Sequence, residues 1–532
     1  MTISHHPLRI TTLSPVHIGC DEDFEPSNFV IDNGLLHALD PVDLATALDN
    51  NEKQQLQRLA DERDPIGVIQ QFFKQRRAHL VQFARQQIDV VPGIAREYEE
   101  KAGVPQQRSH DGRVIYNLFP MARTAFNPLD GAPYLPGSSL KGSIRTAWLN
   151  QRNQGKGLID KKESSQQLQQ RLLGYQPGKF ENDPFRSVAL ADAHVPEEQL
   201  PPPTRILYAV SKKKKPSERN PSELKVFLEI VRETLPDAFS SELRLSGKIS
   251  WNALCDACNT FYRPQLENEL QHATFAPLFD PQWRTLISTL LANELGELIA
   301  ARQGFLLRIG KHAGAESITL DGARSIKILG AKGQPPSYRP ETTEKRFASA
   351  ARAATGNLLP FGWIWVSGCD DAHQHLAFTV QQQIAQHAAP ILEAHAERLS
   401  AADARTEARR EAERHQAEEA AARQAREQAQ AEAAAAREQA LATMTPNQRL
   451  IEEFRDYCQK RAGGLGKNQE PLNSIIHNRA RELVAKARDN AEWTTEEKRA
   501  LADVVSEWLP KLVRQMDKDQ LKKLKLAALR GN

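Results

Sequence analysis

The chain has 532 residues, with 70 Lys and Arg against 67 Asp and Glu, a formal net charge of +3. That length supports several domains with substantial cores, and the near-balance of charge excludes a protein that is basic throughout, so any polyanion-binding surface must be local. Five scattered cysteines (Cys20, Cys255, Cys258, Cys369 and Cys458) include one lone C-x-x-C pair with no second pair to complete a zinc site. A reduced, cytoplasmic protein without structural metal or cofactor is expected. The polar N-terminus and the lack of a long apolar run predict neither secretion nor a membrane partner.

In chain order, Leu8 to Gly19 reads as an alternating strand ending in a turn, followed by the acidic run Asp21-Glu22-Asp23. Residues 41–88 look helical, and Val114 to Phe119 extended. The stretch Tyr134-Leu-Pro-Gly-Ser-Ser-Leu-Lys-Gly-Ser-Ile-Arg-Thr-Ala-Trp148 reads as a glycine- and serine-rich turn feeding a basic helix. Pro136 and Gly137 break the preceding segment, and Ser138 or Ser139 is expected to cap the helix. Free N–H groups at its start and the positive end of its dipole favour phosphate. Lys141 and Arg145 lie four apart on one face, while Leu140, Ile144 and Trp148 turn inward.

Asp183 to Asp192 reads as a further extended segment, Arg205 to Val210 as a strand, and 211–222 as a Lys/Pro/Ser-rich loop. Its Lys212 to Lys215 run suits a solvated loop as well as an RNA contact. Residues 224–234 have strand-like patches, 250–303 are largely helical, and strands recur at Phe305 to Ile309, Ser325 to Leu329 and Trp363 to Val366. After the first of these, Gly310-Lys-His-Ala-Gly314 is a loop whose glycines permit close backbone approach, so that Lys311, His312 and nearby N–H groups could line a phosphate nest.

From 381 to 442 the chain is dominated by Ala, Glu, Gln and Arg, with no Pro after Ile391 until Pro446. This predicts one continuous helix, roughly 90 Å long if unbroken. Opposite charges recur four apart at Arg409/Glu413, Arg414/Glu418, Glu419/Arg423 and Arg423/Glu427. Without a Leu/Ile heptad, a solitary or docked helix is favoured over a coiled coil. Residues 446–532 then predict a small helical domain with a core including Ile451, Phe454, Val484, Leu501, Val505 and Leu512.

The pieces Leu13-Ser-Pro-Val-His-Ile-Gly19, Pro136 to Ala147 and Asp183-Pro-Phe-Arg186, at this order and spacing, resemble the RAMP superfamily of CRISPR effector proteins. The nearest likeness is to the fifth subunit of the type III-A Csm complex. The sequence departs from that pattern in Ser143 for alanine and in Ala191 before Asp192. The resemblance covers about the first 370 residues and implies for them an α+β fold of two ferredoxin-like, RRM-like domains with inserted helices; the long helix and the all-α C-terminal domain that follow are expected from composition and apolar spacing, since typical members of the family are shorter. The expected divisions are 1–200, 201–380, 381–445 and 446–532.

By resemblance the protein is a non-catalytic subunit capping the head of a type III-A complex. It would hold the 3′ side of the CRISPR RNA, touch other effector subunits, above all the backbone RAMP subunit, and admit a host nuclease that trims the guide. The RNA-binding residues so implied are Gly137, Ser138, Ser139, Lys141, Gly142, Arg145, Arg186, Gly310, Lys311, His312 and Gly314, with contacts largely independent of sequence. A second reading is a ribonuclease using His17, Asp21, Glu22, Asp23 and His312, although no acid–base pair can be located from sequence. A third is an interaction scaffold acting through residues 381–532, which would dock a neighbouring subunit or imitate the small helical subunit of the complex.

Overall fold

The computed structural model of the protein describes residues 3–25, 27–62, 65–104, 107–108, 114–115, 119–160, 163–176, 178–215, 226–328, 335–368, 371–465 and 469–531. The expected extended residues 116–118, the loop residues 216–222 and Cys369 lie outside this set. The chain divides into two compact units, 1–411 and 412–532.

The first unit is α+β and, among the described residues, holds two large sheets and two two-stranded ones, Gln107–Arg108 with Val114–Ile115 and Ile326–Ile328 with Ser337–Arg339. The smaller of the large sheets is antiparallel, in the order Gly304–Arg308, Trp363–Ser367, Ser4–Thr12, Leu235–Leu245 and Val188–Leu190. The larger is mixed. It runs Gly19–Phe24, Met121–Thr124, Phe227–Val231, Thr204–Lys213, Gln86–Val90, Leu35–Ala38 and Phe29–Asp32, with Glu344–Ser349 also paired to Thr204–Lys213 and to Leu359–Pro360. Each large sheet draws strands from both sides of residue 200, so the two are interleaved along the chain. One continuous apolar cluster joins them, including Ile10, Phe239 and Phe305 of the smaller sheet and Ile206, Leu228 and Phe347 of the larger. Covered on both faces, the inner strands Phe227–Val231 and Trp363–Ser367 are buried at every residue, and so is Gly304–Arg308 at the edge of the smaller sheet.

Local chemistry fixes the helical insertion. Ser250 caps Trp251–Gln271 by accepting from the Ala253 N–H, and Asp280 caps Pro281–Ala292 from the Trp283 N–H, with Pro281 in the first turn. Several boundaries differ from expectation. Residues 86–88 belong to a strand rather than a helix, since Gln86–Val90 pairs with Leu35–Ala38. Residues 184–187 form a 3₁₀ turn ahead of a short strand, because the Asp183 carboxylate accepts from the Phe185 N–H and curls the chain. Residues 211–213, expected in a loop, continue a strand opposite Glu344, Lys345 and Arg346.

The long helix spans Gln374–Thr443, starting before residue 381 and passing through Pro390. Its first part is docked on the unit: Val380, Ile384, Ala388 and Ala402 are buried, His395 and Arg398 reach Asp89 at 3.0 and 2.7 Å, and Arg409 reaches Asp32 at 3.4 Å. Every residue from 411 to 440 is exposed, and there the expected Arg423–Glu427 pair forms at 3.1 Å. The second unit packs Pro446–Leu465, Ile475–Asp489, Thr495–Leu512, Lys518–Lys523 and Leu526–Arg530 around Phe454, Ile476, Leu501, Val505 and Leu509. Among the described residues, no helix is long and apolar enough to cross a membrane.

Two buried carboxylates organise the first unit. Asp89 accepts from Arg232, Arg398 and His395; burial alone would raise its pKa, but these donors hold it well below the usual carboxylate range. Glu269, on the first inserted helix, accepts from Trp363 Nε1 at 2.9 Å and faces Arg308 and Lys345 at 3.2 Å. Burial opposes its charge, yet Arg308 and Lys345 bring its pKa down to about 2. The pair energy is therefore present above the ordinary glutamate value near 4.5 and is lost as pH falls toward 2. Glu269→Ala, which leaves Arg308 buried without its partner, should lower unfolding free energy by about 3–5 kcal/mol. Urea denaturation at neutral pH checks this; a change under about 1 kcal/mol would show that the cluster does not hold the sheets together.

Candidate nucleic-acid interface

The four motifs singled out in the sequence meet at one junction. Helix Gly137–Asn153 starts directly after Pro136, and neither Ser138 nor Ser139 caps it. The carboxylate of Asp192 does the work expected of a serine, accepting from the Gly137 N–H at 2.7 Å. Its negative charge thus sits where a phosphate was expected. A Cβ on residue 137 would stand 2.5 Å from the Leu190 carbonyl oxygen, so only glycine lets the helix start approach this strand.

Leu140, Ile144 and Trp148 are buried as expected, but the two cations on the other face are also engaged. Lys141 Nζ donates to the Val188 carbonyl at 2.6 Å, and partial desolvation lowers its pKa. Arg145 pairs with Asp183 at 2.9 Å and lies over the Phe185 ring at 5.2 Å. These contacts bind the glycine-turn helix to the Asp183-Pro-Phe-Arg186 segment. Ser143 Oγ donates to the Arg308 carbonyl at 3.1 Å, which ties the same helix to the strand leading into the Gly310 loop.

That loop in turn clasps the first motif. Gly310, His312 and Gly314 all have positive φ, at 76°, 68° and 88°, which curls the backbone into a nest-like shape. The Lys311 N–H is already used, donating to the His17 carbonyl at 2.8 Å. A Cβ at Gly310 would fall 2.2 Å from that same oxygen. At the junction Ser138, Gly142, Arg186, Asp192, Gly310 and the Lys311 side chain face solvent, while Ser139 and His312 are half-buried.

The sequence reading did not single out an aromatic pair beside the helix start. Tyr134 and His194 stack with ring centroids 5.6 Å apart at 17°, because the Leu135–Ala193 bridge aligns their strands. His194 is exposed and Tyr134 half-buried. The signal was an aromatic three residues before Gly137 and a histidine two after Asp192, visible as a pair only once the bridge is known.

The nuclease candidates are differently placed. His17 is fully buried; its Nδ1 donates to the Glu229 carbonyl at 2.6 Å, which leaves Nε2 as a buried lone pair without a partner among the described residues. Desolvation lowers its pKa to about 4. His312 packs against Phe361 at 5.4 Å, and desolvation together with Arg346 and Lys311 lowers its pKa to about 3. Both are neutral at neutral pH. Asp21, Glu22 and Asp23 are exposed on an edge strand, where Glu22 stands 3.9 Å from Arg123. Among the described residues no group of three or more His, Cys, Asp or Glu is placed to hold a metal ion.

Two outcomes follow from this geometry. Arg145→Ala removes the partner of the half-buried Asp183 and should cost about 1.5–3 kcal/mol; unchanged urea stability would show the pair to be incidental. Acid lability should set in early, because His17, His312 and likewise desolvated His37, at about 4, have folded pKa values below the ordinary 6.5. Below pH 6.5 the unfolded chain takes up these protons first, so stability falls between about pH 6.5 and 4, by up to about 1.4 kcal/mol per pH unit for each group. His312→Asn, which tolerates positive φ, should flatten that slope in urea titrations at stepped pH; an unaltered slope would mean His312 is protonated in the fold.

Comparison with known proteins agrees with the motifs. Two solved structures are similar in part. One is a chain of a cryo-EM structure of a Csm–crRNA–target RNA ternary complex from a type III-A CRISPR-Cas system, with 17% identity, TM-score 0.43, 68% of this chain and 100% of that chain covered. The other is the crystal structure of T. onnurineus Csm5, with 16% identity, TM-score 0.42, and 68% and 99% covered. No curated protein matches. Residues 9–253, just under half of the chain, match the family model of the RAMP superfamily.

Proposed function

We propose that this protein is an RNA-binding subunit of a type III CRISPR effector complex that holds the 3′ side of the crRNA without cutting it. The observation that carries the reading is the junction itself: four RAMP-like motifs, distant in sequence, lock together and leave Arg186, Lys311 and the Tyr134–His194 stack at the surface. Cations and an aromatic face suit a single strand, with phosphates held by charge and a base by stacking. Lys141, Arg145, Asp192 and the loop glycines support that surface by fixing the backbone that presents it. Capping of the complex, contact with the backbone RAMP subunit and admission of a trimming nuclease follow from the likeness to the fifth Csm subunit.

A non-catalytic role is supported by the placement of the candidate acid–base groups. His17 and His312 are buried and neutral, and the carboxylates beside them stand on an exposed strand. An acid–base cleavage would need both a base and an acid within reach of one ribose–phosphate unit.

The test is co-expression with the neighbouring genes and a CRISPR array, purification through a tag on this subunit, and sequencing of the ends of bound RNA. A multi-subunit particle holding guides with trimmed 3′ ends is expected; a free protein without guide, or one yielding discrete cleavage ends alone, would overturn the reading. Arg186→Ala with Lys311→Ala should weaken guide retention about equally for all guide sequences and lower the salt slope by roughly 1–2. Normal retention in the folded double variant would remove these residues from the interface.

A further inference from the structure

We infer that the C-terminal helical unit carries a second, sequence-independent nucleic-acid contact, made by the basic face of residues 511–532. The charge of this protein is unevenly placed. Residues 511–532 hold seven Lys and Arg against two Asp, a net of +5, whereas the whole chain is only +3, so everything before residue 511 is net acidic. All seven cations, Lys511, Arg514, Lys518, Lys522, Lys523, Lys525 and Arg530, are exposed.

Most of them are left unpaired. Among the described residues only Lys511, Lys522 and Arg530 have ion-pair partners, Glu507, Asp519 and Asp503. Lys522 and Lys523 sit in the last turn of one short helix, and Lys525 takes a left-handed conformation at the start of the next, with φ of 57°. Asp489, at the end of Ile475–Asp489, has its pKa lowered first by its hydrogen bond with Arg488, at 2.6 Å, and further by Lys525, and the same last turn adds Lys486. Helix C-termini tolerate cations, but that accounts for only part of a cluster whose mutual repulsion opposes folding when no anion is bound.

The same segment decides the class of partner. Its large apolar side chains turn inward: Leu512, Val513, Met516, Leu524, Leu526 and Leu529 are buried and Leu521 is half-buried against the same core, which leaves only Ala527 and Ala528 exposed. A protein partner is normally anchored by exposed apolar or aromatic groups at the centre of the patch, and none larger than alanine is offered between 511 and 532. A phosphate backbone needs only cations on a firm support. Support comes from the unit's own core, in which Leu526 and Leu529 pack with Leu501, Val505 and Leu509. Beside the patch, Lys511 lies over the half-buried Trp508 ring at 4.8 Å. The choice of nucleic acid over another polyanion rests on the RNA-binding reading above.

The test uses the full chain with Lys518, Lys522, Lys523 and Lys525 all changed to Glu, and a second variant with the same four changed to Gln. Binding of a labelled, mixed-sequence single-stranded RNA is measured by fluorescence anisotropy across a salt series. The Glu variant should lose about tenfold or more in affinity at roughly 0.1 M salt, and both variants should reduce the salt slope by about 3. The Gln variant keeps helix propensity, so a fold defect in the Glu variant does not leave the matter open. Unchanged affinity and slope in the folded Gln variant overturn the inference, as does an acidic protein that co-purifies only with the wild type while RNA affinity is unaltered. Arg186→Ala with Lys311→Ala is run alongside. Weakening there alone overturns this inference and leaves the first unit's role standing; weakening in the lysine variants alone does the reverse. A wild-type chain that binds no RNA overturns both.

Discussion

Glu269 is the constraint on which the first unit depends. One carboxylate on an inserted helix engages Arg308 and Trp363 from the antiparallel sheet and Lys345 from the mixed sheet. Its two charged partners are themselves largely buried, so none of the three ionised groups can be left without the others. Strands that alternate between two sheets along the chain could pair in other ways on hydrophobicity alone. A shared buried charge penalises arrangements that leave it unsatisfied. Arg308 is also the residue whose carbonyl receives Ser143 and whose strand leads into the Gly310 loop, so the junction is suspended from this same point.

Function follows from how little of the junction is left over after folding. Most polar groups there are spent on one another: a carboxylate on a helix start, a lysine on a carbonyl, an arginine on an aspartate, a loop N–H on the first motif. Such pre-formed backbone keeps exposed groups in place before a ligand arrives, which limits the ordering cost of binding. The exposed cations at this junction are few, Arg186 and Lys311 among them.

Much of the fold was legible because it rests on local rules. Periodicity gave the inserted helices, composition gave the long helix, and the spacing of apolar residues gave the C-terminal core. What escaped depends on partners far along the chain. Nothing near Lys141 announces that the Val188 carbonyl will accept its hydrogen bond, nor near Gly137 that Asp192 will displace a serine cap. The two cations of the glycine-turn helix therefore read as ligands for phosphate, when tertiary contacts turn them to internal use. The strand at 211–213 was hidden for the same reason: its lysines look like a solvated run until the facing strand supplies the pairing. The Tyr134–His194 stack needs a bridge between segments about sixty residues apart.

The mutual bonding of the motifs also bears on how such proteins change over generations. A residue that contacts only a ligand is released from selection when the ligand is lost. Here Gly137, Arg145, Asp183, Asp192 and Gly310 hold the chain's own backbone and side chains. Drift at these positions would be purged for instability whatever the protein binds. A descendant that had abandoned its ligand would still display the motifs, while the outward residues Arg186 and Lys311 would be free to vary. Ancestry is thus written in the inner layer of this junction, and present occupation in the outer one.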